Sequence, residues 1–499
     1  MTRKEIVKYL LANPEKMLLK KPFYRGSNTI TMSDRSDGES HETNTMLPAA
    51  LPSVKKRIVT QERFARELDP ECHDVVFDEN IPSICVKKSD GVVYDIQFRK
   101  SGIAIQERIR EKKTLAICGN EREFTLHDPK PSEQNKLNYQ TYKWYWKESN
   151  QDGLGCKAVH TQLGYGDVGL LMYFNEKKQI RGRIFSYQDG YVVISHNDDN
   201  NERVMECLYY ATEDGVEHID AYDDTNMYSL VKTEIVREKP EESWRIVSSA
   251  PHGFSEIPLI TKRGDVAWNN VQPLIELYEI IYNIFAVVQK RNGWGILYIK
   301  GNIKNELKKL AGSIILQDTT PEGKGSAEFK TAPTPQGTLD FLQSILDQIQ
   351  IGSGVTFILP KDVKTGGDLS GVAMQMTRSF DIESARQLVI DWQNFANKHA
   401  RLFKEGLAKQ LVESGENPNA VTEFADMRIT CKFKVWQPFD ESAYNQMLCT
   451  LRGSGIISRK TAVEKNTIAT PDELARIESE DTLNAQQPNI EEEILITEQ

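Results

Sequence analysis

Between residues 270 and 290 the apolar positions Leu274, Leu277, Tyr278, Ile281, Ile284, Phe285 and Val288 recur at three and four, the spacing of a helix stripe. Ile275, Ile280, Tyr282, Ala286 and Val287 coat much of the other side. A helix apolar nearly all round has to be covered nearly all round. In a chain with mean hydropathy of -0.50, the cover expected is other copies of the same chain; a central helix inside one large monomeric core is the alternative. Glu276, Glu279 and Asn283 interrupt the run, which falls short of the roughly 20 clean residues a bilayer span needs, so no segment is expected to cross a membrane. A second stripe, Leu339, Leu342, Leu346 and Ile349, predicts another helix in GTLDFLQSILDQIQ. Between the two, residues 294–334 read as strand (WGILYIK), helix (NIKNELKKL), strand (SIILQ), a turn-rich TTPEGKGS and strand (AEFKT). The pattern is a β-rich knob carried on the ends of a helix pair, a shape suited to docking.

The longest helical pattern begins near Ser370 and runs to about Glu413. Ala385, Leu388, Val389, Trp392, Phe395, Ala396, His399, Leu402, Phe403, Leu407 and Leu411 form its stripe, and Gly415 with Pro418 supply the stop. His399 on that stripe reads as a packed core histidine, since no second His or Cys stands three or four residues away. Upstream, MTRKEIVKYLLANPEK predicts an amphipathic helix ending before Pro14, and it lacks the features of an export signal. Residues 26–50 are polar and read as a surface excursion or a mobile loop. LNYQTYKWYWKES predicts a helix, and from 156 onward the period switches to two. Asp189-Gly190 and Asp214-Gly215 mark hairpins, so 170–250 reads as an antiparallel meander. After MRITCKFKVWQP, a strand, come three short helices: DESAYNQMLCTLR, SRKTAVEK and TPDELARIESE. The last opens on a capping box of Thr470, Pro471 and Glu473. The acidic stretch beyond Asp481 is expected to fray. The fold class expected is α+β, with two to four domains in 499 residues.

Chemistry is scarce. Seven cysteines are scattered, odd in number and never in CxxC spacing, which suggests neither a disulfide framework nor a zinc site and fits a reducing cytoplasm. A net charge of -10 argues against broad, tight nucleic-acid binding and leaves room for local or fleeting contact. GYGDVG at 164–169 matches a dinucleotide fingerprint, but a strand follows it where a helix is required. PEGKGS at 321–326 lacks the Ser or Thr and the spacing of a phosphate loop. ECHDVVFDE at 71–79 gathers Cys, His and acids without a partner set at metal spacing. No GxSxG serine or Cys/His pair announces a nucleophile. No enzyme, cofactor or metal is expected. The competing readings are a nucleotide-dependent enzyme using GYGDVG or PEGKGS, and a monomeric adaptor using 294–334 as a binding module.

The stretch ILPKDVKTGGDLSGVAMQM sets the Gly366-Gly367 pair and Gly371 at the mouth of the longest helix. From HGFSEIPLI and VQPLIELYEIIYNIFAVV onward, the order of pieces resembles the portal proteins of tailed bacteriophages, in the branch typified by phages of Gram-positive hosts. The small insert, LDFLQSILDQIQ, the loop ending GGDLSGVAMQM, the long helix, FKVWQPFDESAYNQML, GIISRKTAVEK and PDELARIESE follow in that family's order. The likeness is close over 250–480, moderate over 137–249 and faint before that.

The resemblance implies a homo-dodecameric ring at one capsid vertex, assembled in the host bacterial cytoplasm, through which double-stranded DNA is packaged and ejected. Implied partners are the terminase large subunit, major capsid and scaffolding proteins, and head-completion or adaptor proteins. It places 1–263 in the wing, 264–292 in stem helix 1, 293–336 in the clip, 337–357 in stem helix 2 and 358–371 in the tunnel loop. Residues 372–438 would return to the wing, 439–482 form the crown and 483–499 a flexible acidic tail. DNA-facing residues would be Lys361, Asp362, Lys364, Thr365, Gly366, Gly367, Asp368 and Ser370. Leu274, Leu277, Tyr278, Ile281, Phe285 and Val288 would pack between subunits. Glycines let such a loop bend, its two lysines meet phosphate, and its two aspartates keep the attraction from stalling a moving polyanion. In one departure from the family, GSGVTFILP before the loop is apolar, which leaves two alternatives: a shorter loop, or Val355 to Leu359 packing as a strand against a neighbour.

Overall fold

The computed structural model describes residues 3–17, 54–81, 84–87, 93–96, 99–128, 132–232, 244–292, 296–300, 314–318, 326–330, 336–357, 379–436, 441–466, 469 and 473–486. They fall into two compact units, the first holding the described residues up to 436 and the second those from 441 onward.

The first unit is a stack of helices and mostly antiparallel sheets, an α+β arrangement. At its centre a three-stranded sheet runs in the order Leu259–Arg263, Asp167–Phe174, Ile180–Phe185. Strand alternation sends Val168, Leu170, Met172, Ile180, Ile184 and Ile260 to one face, where they join the main core with the helices. Leu171, Phe185 and Leu259 face the other way and pack with Val193, Leu208 and Tyr222 of a five-stranded meander. That meander comprises Val192–Asn197, Arg203–Ala211, Glu217–Tyr222, Asn226–Lys232 and Trp244–Pro251, all paired antiparallel. The amphipathic helix Arg3–Ala12 closes its far face with Ile6 and Leu10.

The long helix Ser379–Glu413, 35 residues and about 52 Å at 1.5 Å per residue, threads the main core. Trp392, Phe395, Ala396, Leu402, Phe403, Leu407 and Leu411 are buried there as the periodicity predicts. It stops where Gly415 takes a φ of +77°. The helix pattern upstream of Ser379 falls outside the described residues. His399 is a core histidine: its Nε2 lies 2.9 Å from Gln151 Oε1 and its Nδ1 3.1 Å from Arg122 Nη1, and burial holds its pKa well below the usual value.

Three expectations need correction. Residues 156–165 are helical, within Gln151–Tyr165, although Gly153, Gly155 and Gly164 lower the local propensity. The glycines at 155 and 164 make room for buried arginines: a Cβ on Gly155 would stand 1.2 Å from Arg122 Nη2, and one on Gly164 2.9 Å from Arg110 Nη1. The turn at Asp189-Gly190 does not close a hairpin. A 3-10 turn at Tyr187–Asp189, held by the Ser186 hydroxyl on Asp189 at 3.0 Å and ended by Gly190 at φ +83°, carries the chain from one sheet to the other. Asp214-Gly215 does join two paired strands. Finally, the last helix extends past Asp481, from Glu473 to Gln486.

The knob between the two apolar helices is a three-stranded sheet in the order Ile314–Asp318, Ile296–Lys300, Ser326–Lys330. The first two are parallel and the last pair is antiparallel; the segment expected as a helix between the parallel strands falls outside the described residues. The second unit holds the helices Glu441–Gly453, Arg459–Lys465 and Glu473–Gln486. Ser458 caps the middle one by accepting from Thr461 N at 3.1 Å, and Arg459 pairs with Asp481 on the last.

Candidate functional site

The two apolar stripes become helices Gln272–Asn292 and Gln336–Ser353, 21 and 18 residues long, which pack on each other. Residues 264–271 precede the first as a turn-rich root, buried at Val266, Ala267, Trp268 and Val271, rather than as helix. Main-chain bonds tie that root to the end of helix Gln151–Tyr165: Gly264 N to Gly166 O at 2.9 Å and Ala267 N to Leu163 O at 2.8 Å. Trp268 is fully buried and donates its indole N–H to Glu67 at 2.8 Å. Gly166, at φ +80°, ends the helix Gln151–Tyr165, so GYGDVG closes a helix and enters a strand instead of opening a helix.

Burial on Gln272–Asn292 inverts the usual order. The polar Glu279 and Asn283, one turn apart, are only 2% and 1% exposed, while Leu277, Tyr282, Ile284 and Val288 are 40%, 41%, 39% and 37% exposed. The polar pair anchors the helix to its own chain. Glu279 Oε1 accepts from His73 Nδ1 and from Ile103 N, each at 2.7 Å. Asn283 exchanges two bonds with the Ser101 backbone, at 3.0 and 2.9 Å. His73 Nε2 lies 2.8 Å from the Glu67 carbonyl, so both ring nitrogens face oxygen atoms, an arrangement that favours the doubly protonated imidazolium. Burial by itself disfavours that imidazolium, but the hydrogen bond and charge of Glu279, with the Glu67 carbonyl, outweigh it and hold the pKa above its ordinary value. The ECHDVVFDE cluster is thus resolved: Cys72 faces Asp69 at 3.3 Å, and His73 is an ion-pair partner. A cavity of about 470 Å³ opens beside this pair, bordered by Arg66, Glu67, Asp74 and Glu276 together with the apolar Val75, Pro273 and Ile280.

The six residues expected between subunits divide. Leu274, Tyr278 and Ile281 are half-buried against the chain's own core, and Tyr278 stacks on Tyr282 with centroids 6.3 Å apart. Phe285 is half-buried, whereas Leu277 and Val288 are exposed. Ile275 and Val287, on the side opposite the stripe, are the ones fully buried. On Gln336–Ser353, Leu342, Ile345 and Ile349 face the core while Leu339, Phe341 and Ile351 are exposed. Asp340 and Asp347 lie on an exposed polar face, each accepting from a glutamine side chain, Gln336 at 3.0 Å and Gln343 at 2.9 Å. The helix carries no lysine or arginine.

The loop residues Lys361, Asp362, Lys364, Thr365, Gly366, Gly367, Asp368 and Ser370 fall outside the described residues, but both flanks are fixed. Gly354, at φ +65°, ends the second apolar helix. Beyond it Val355 is buried, Phe357 N donates to Gln350 Oε1 at 2.7 Å, and Thr356 N donates to Asp381 Oδ1 at 2.7 Å. Asp381 stands in the first turn of the long helix, so residues 356 and 381 are bonded across the segment they enclose. Residues 355–357 are therefore held by hydrogen bonds within their own chain and pair with none of the described strands, while 358 and 359 fall outside the described residues.

Among the described residues no helix is long and apolar enough to cross a membrane. Residues 99–487 match the family model described as phage portal protein, SPP1 Gp6-like. No curated protein matches the chain. With more than half of its length inside that match, the chain belongs to the family of phage portal proteins of the SPP1 Gp6-like type.

Proposed function

We infer that the chain assembles as a dodecameric ring at one capsid vertex and conducts double-stranded DNA during packaging and ejection, leaving ATP hydrolysis to a separate motor. The exposed apolar side chains carry this reading: Leu277, Ile284 and Val288 on the stripe, and Tyr282 on another side, are left open on a helix anchored through the face of Ile275, Glu279, Asn283 and Val287. Neighbouring copies supply the missing cover, and ring closure follows from a head-to-tail contact repeated about one axis. Helices Gln272–Asn292 and Gln336–Ser353 are the stem in this reading. The strands between Ile296 and Lys330 are the clip that docks the terminase large subunit and later the head-completion proteins. The first unit otherwise supplies the wing, and the helices from Glu441 onward the crown.

The exposed Asp340–Asp347 face, free of basic side chains, suits a lining that repels phosphate and lets DNA slide. The segment 358–371, whose flanks meet at Thr356 and Asp381, is the tunnel loop; Lys361 and Lys364 touch the backbone, and Asp362 and Asp368 limit the hold. Negative-stain electron microscopy with native mass spectrometry of the purified chain tests the assembly. Rings with a central channel support it; compact single particles at every concentration, with or without capsid partners, would overturn it.

A further inference from the structure

Helix Ile105–Cys118 packs on helix Gln151–Tyr165, and its last residue, Cys118, meets Cys156 in the second turn of its neighbour. The Cys156 thiol donates to the Cys118 carbonyl oxygen, Sγ to O 3.8 Å, which sets the two cysteines side by side. Both are free and half-buried, within reach of a small oxidant. The neighbouring cation is unusual. Arg122 occupies the space that Gly155 leaves by lacking a Cβ, and its side chain is 1% exposed between the rings of Trp146 and Phe433, 5.3 and 4.4 Å away. Its Nη1 contacts His399 and Asp152 stands 3.6 Å from Nε, yet Nε and Nη2 make no hydrogen bond. A buried guanidinium with donors to spare favours a nearby anion.

The two thiols are not equivalent. The neighbouring Cys118 thiol lowers the pKa of Cys156 most; burial opposes it, Arg122 lowers it further, and Asp152 works against Arg122. Cys118 is held above its ordinary value by the neighbouring Cys156 thiol and by burial. Nucleophile and resolving thiol are thereby distinguished.

We propose that Cys118 and Cys156 form an oxidisable dithiol that closes to an intrachain disulfide when the chain meets a peroxide-class oxidant. The Cys156 thiolate attacks one peroxide oxygen; an S–O bond forms as the O–O bond breaks, and the departing hydroxide takes up the proton lost from Cys156 to leave as water. The Cys118 sulfur then displaces hydroxide from the sulfenic acid; the S–S bond forms, the S–O bond breaks, and the Cys118 proton makes a second water. Two thiols are oxidised and one peroxide is reduced to two waters. Such a pair stays reduced where glutathione is plentiful and closes in an oxidising medium. The bond would staple the two helices and enclose strand Glu123–Leu126 and helix Glu133–Glu148 in a covalent loop.

The test is titration of the full chain with hydrogen peroxide, followed by thiol counting and peptide mapping without reduction. The expected result is early loss of two of the seven thiols, with one cross-linked peptide joining Cys118 to Cys156, lighter by two hydrogens and reversed by a thiol reductant. Cys118→Ser should leave Cys156 as a sulfenic acid that dimedone captures. Retention of all seven thiols, over-oxidation of Cys156 without a cross-link in the unaltered chain, or a cross-link to another cysteine would overturn the proposal. Because the mapping uses the unaltered chain, it decides the matter even if the serine variant folds poorly.

Discussion

Replacing His73 by alanine takes away the cation that faces the Glu279 carboxylate at 2.7 Å, and leaves that carboxylate, 2% exposed, with the Ile103 N–H as its described donor. The loss of a charge-assisted hydrogen bond alone would cost about 1.5–3 kcal/mol. A buried charge left without its counter-charge raises the cost to about 3–5 kcal/mol. The bond from His73 Nε2 to the Glu67 carbonyl goes as well, so the upper part of that range is expected. His73→Ala with Glu279→Ala removes the orphaned charge, and the double variant should be more stable than the sum of the single losses by about 1–3 kcal/mol. Urea unfolding below the assembly concentration measures all three, with the buried Trp268, bonded to Glu67, as a local fluorescence reporter. The pH dependence gives an independent check. His73 is raised above its ordinary value, so its contribution is complete below the unfolded pKa of about 6.5 and is lost as pH rises through the folded value. The stability gap between the native chain and His73→Ala should therefore narrow with rising pH. Single losses under about 1 kcal/mol, strict additivity in the double variant, or a gap that widens with pH would refute the argument.

Three further outcomes follow from the same geometry. Leu277→Asp with Ile284→Asp alters side chains 40% and 39% exposed, so the isolated chain should lose no more than about 1 kcal/mol while rings disappear from native mass spectra; undiminished rings would contradict the inter-subunit role. Gly155→Ala drives a Cβ to 1.2 Å from Arg122 Nη2 and should cost at least about 1–3 kcal/mol, read as a lowered melting temperature; an unchanged one would show that Arg122 has room to move. Lys361→Glu with Lys364→Glu should leave ring assembly intact and alter packaging or DNA retention; loss of rings, with packaging normal in any that remain, would remove the loop from the DNA path.

How much of this was legible depends on the range of the forces involved. The long helix, the Asp214-Gly215 hairpin and the knob between two apolar helices follow from local pattern, because periodicity and turn chemistry act over a few residues. The helix at 151–165 was hidden for the opposite reason: its glycines answer to Arg122 and Arg110, which reach it from outside that helix. The Asp189-Gly190 turn carries the same local signal as the true hairpin at 214–215, and only the division into two sheets tells them apart. The His73–Glu279 pair spans 206 positions. Its clue in the sequence was a polar residue inside an apolar run, together with a histidine that had no metal-spaced partner.

Glu276, Glu279 and Asn283 look like flaws in the stripe when the helix is treated as uniformly greasy, yet two of the three are its most protected polar side chains. Hydrophobic contact lacks direction, so an apolar helix with several apolar faces could dock on its own chain through any of them. A buried carboxylate and a buried amide do not share that freedom: each demands specific donors and acceptors, and His73, Ser101 and Ile103 provide them at one rotation of the helix only. The polar pair therefore selects which face turns inward, and Leu277, Tyr282, Ile284 and Val288 are left outside as a consequence. Exchanging Glu279 and Asn283 together for leucine should leave the chain folded but relax the rotation of the helix. The measurable result would be greater solvent protection at Leu277 and Ile284 in the unassembled chain and fewer rings at a given concentration; unchanged protection there would mean that packing, not the polar pair, sets the face.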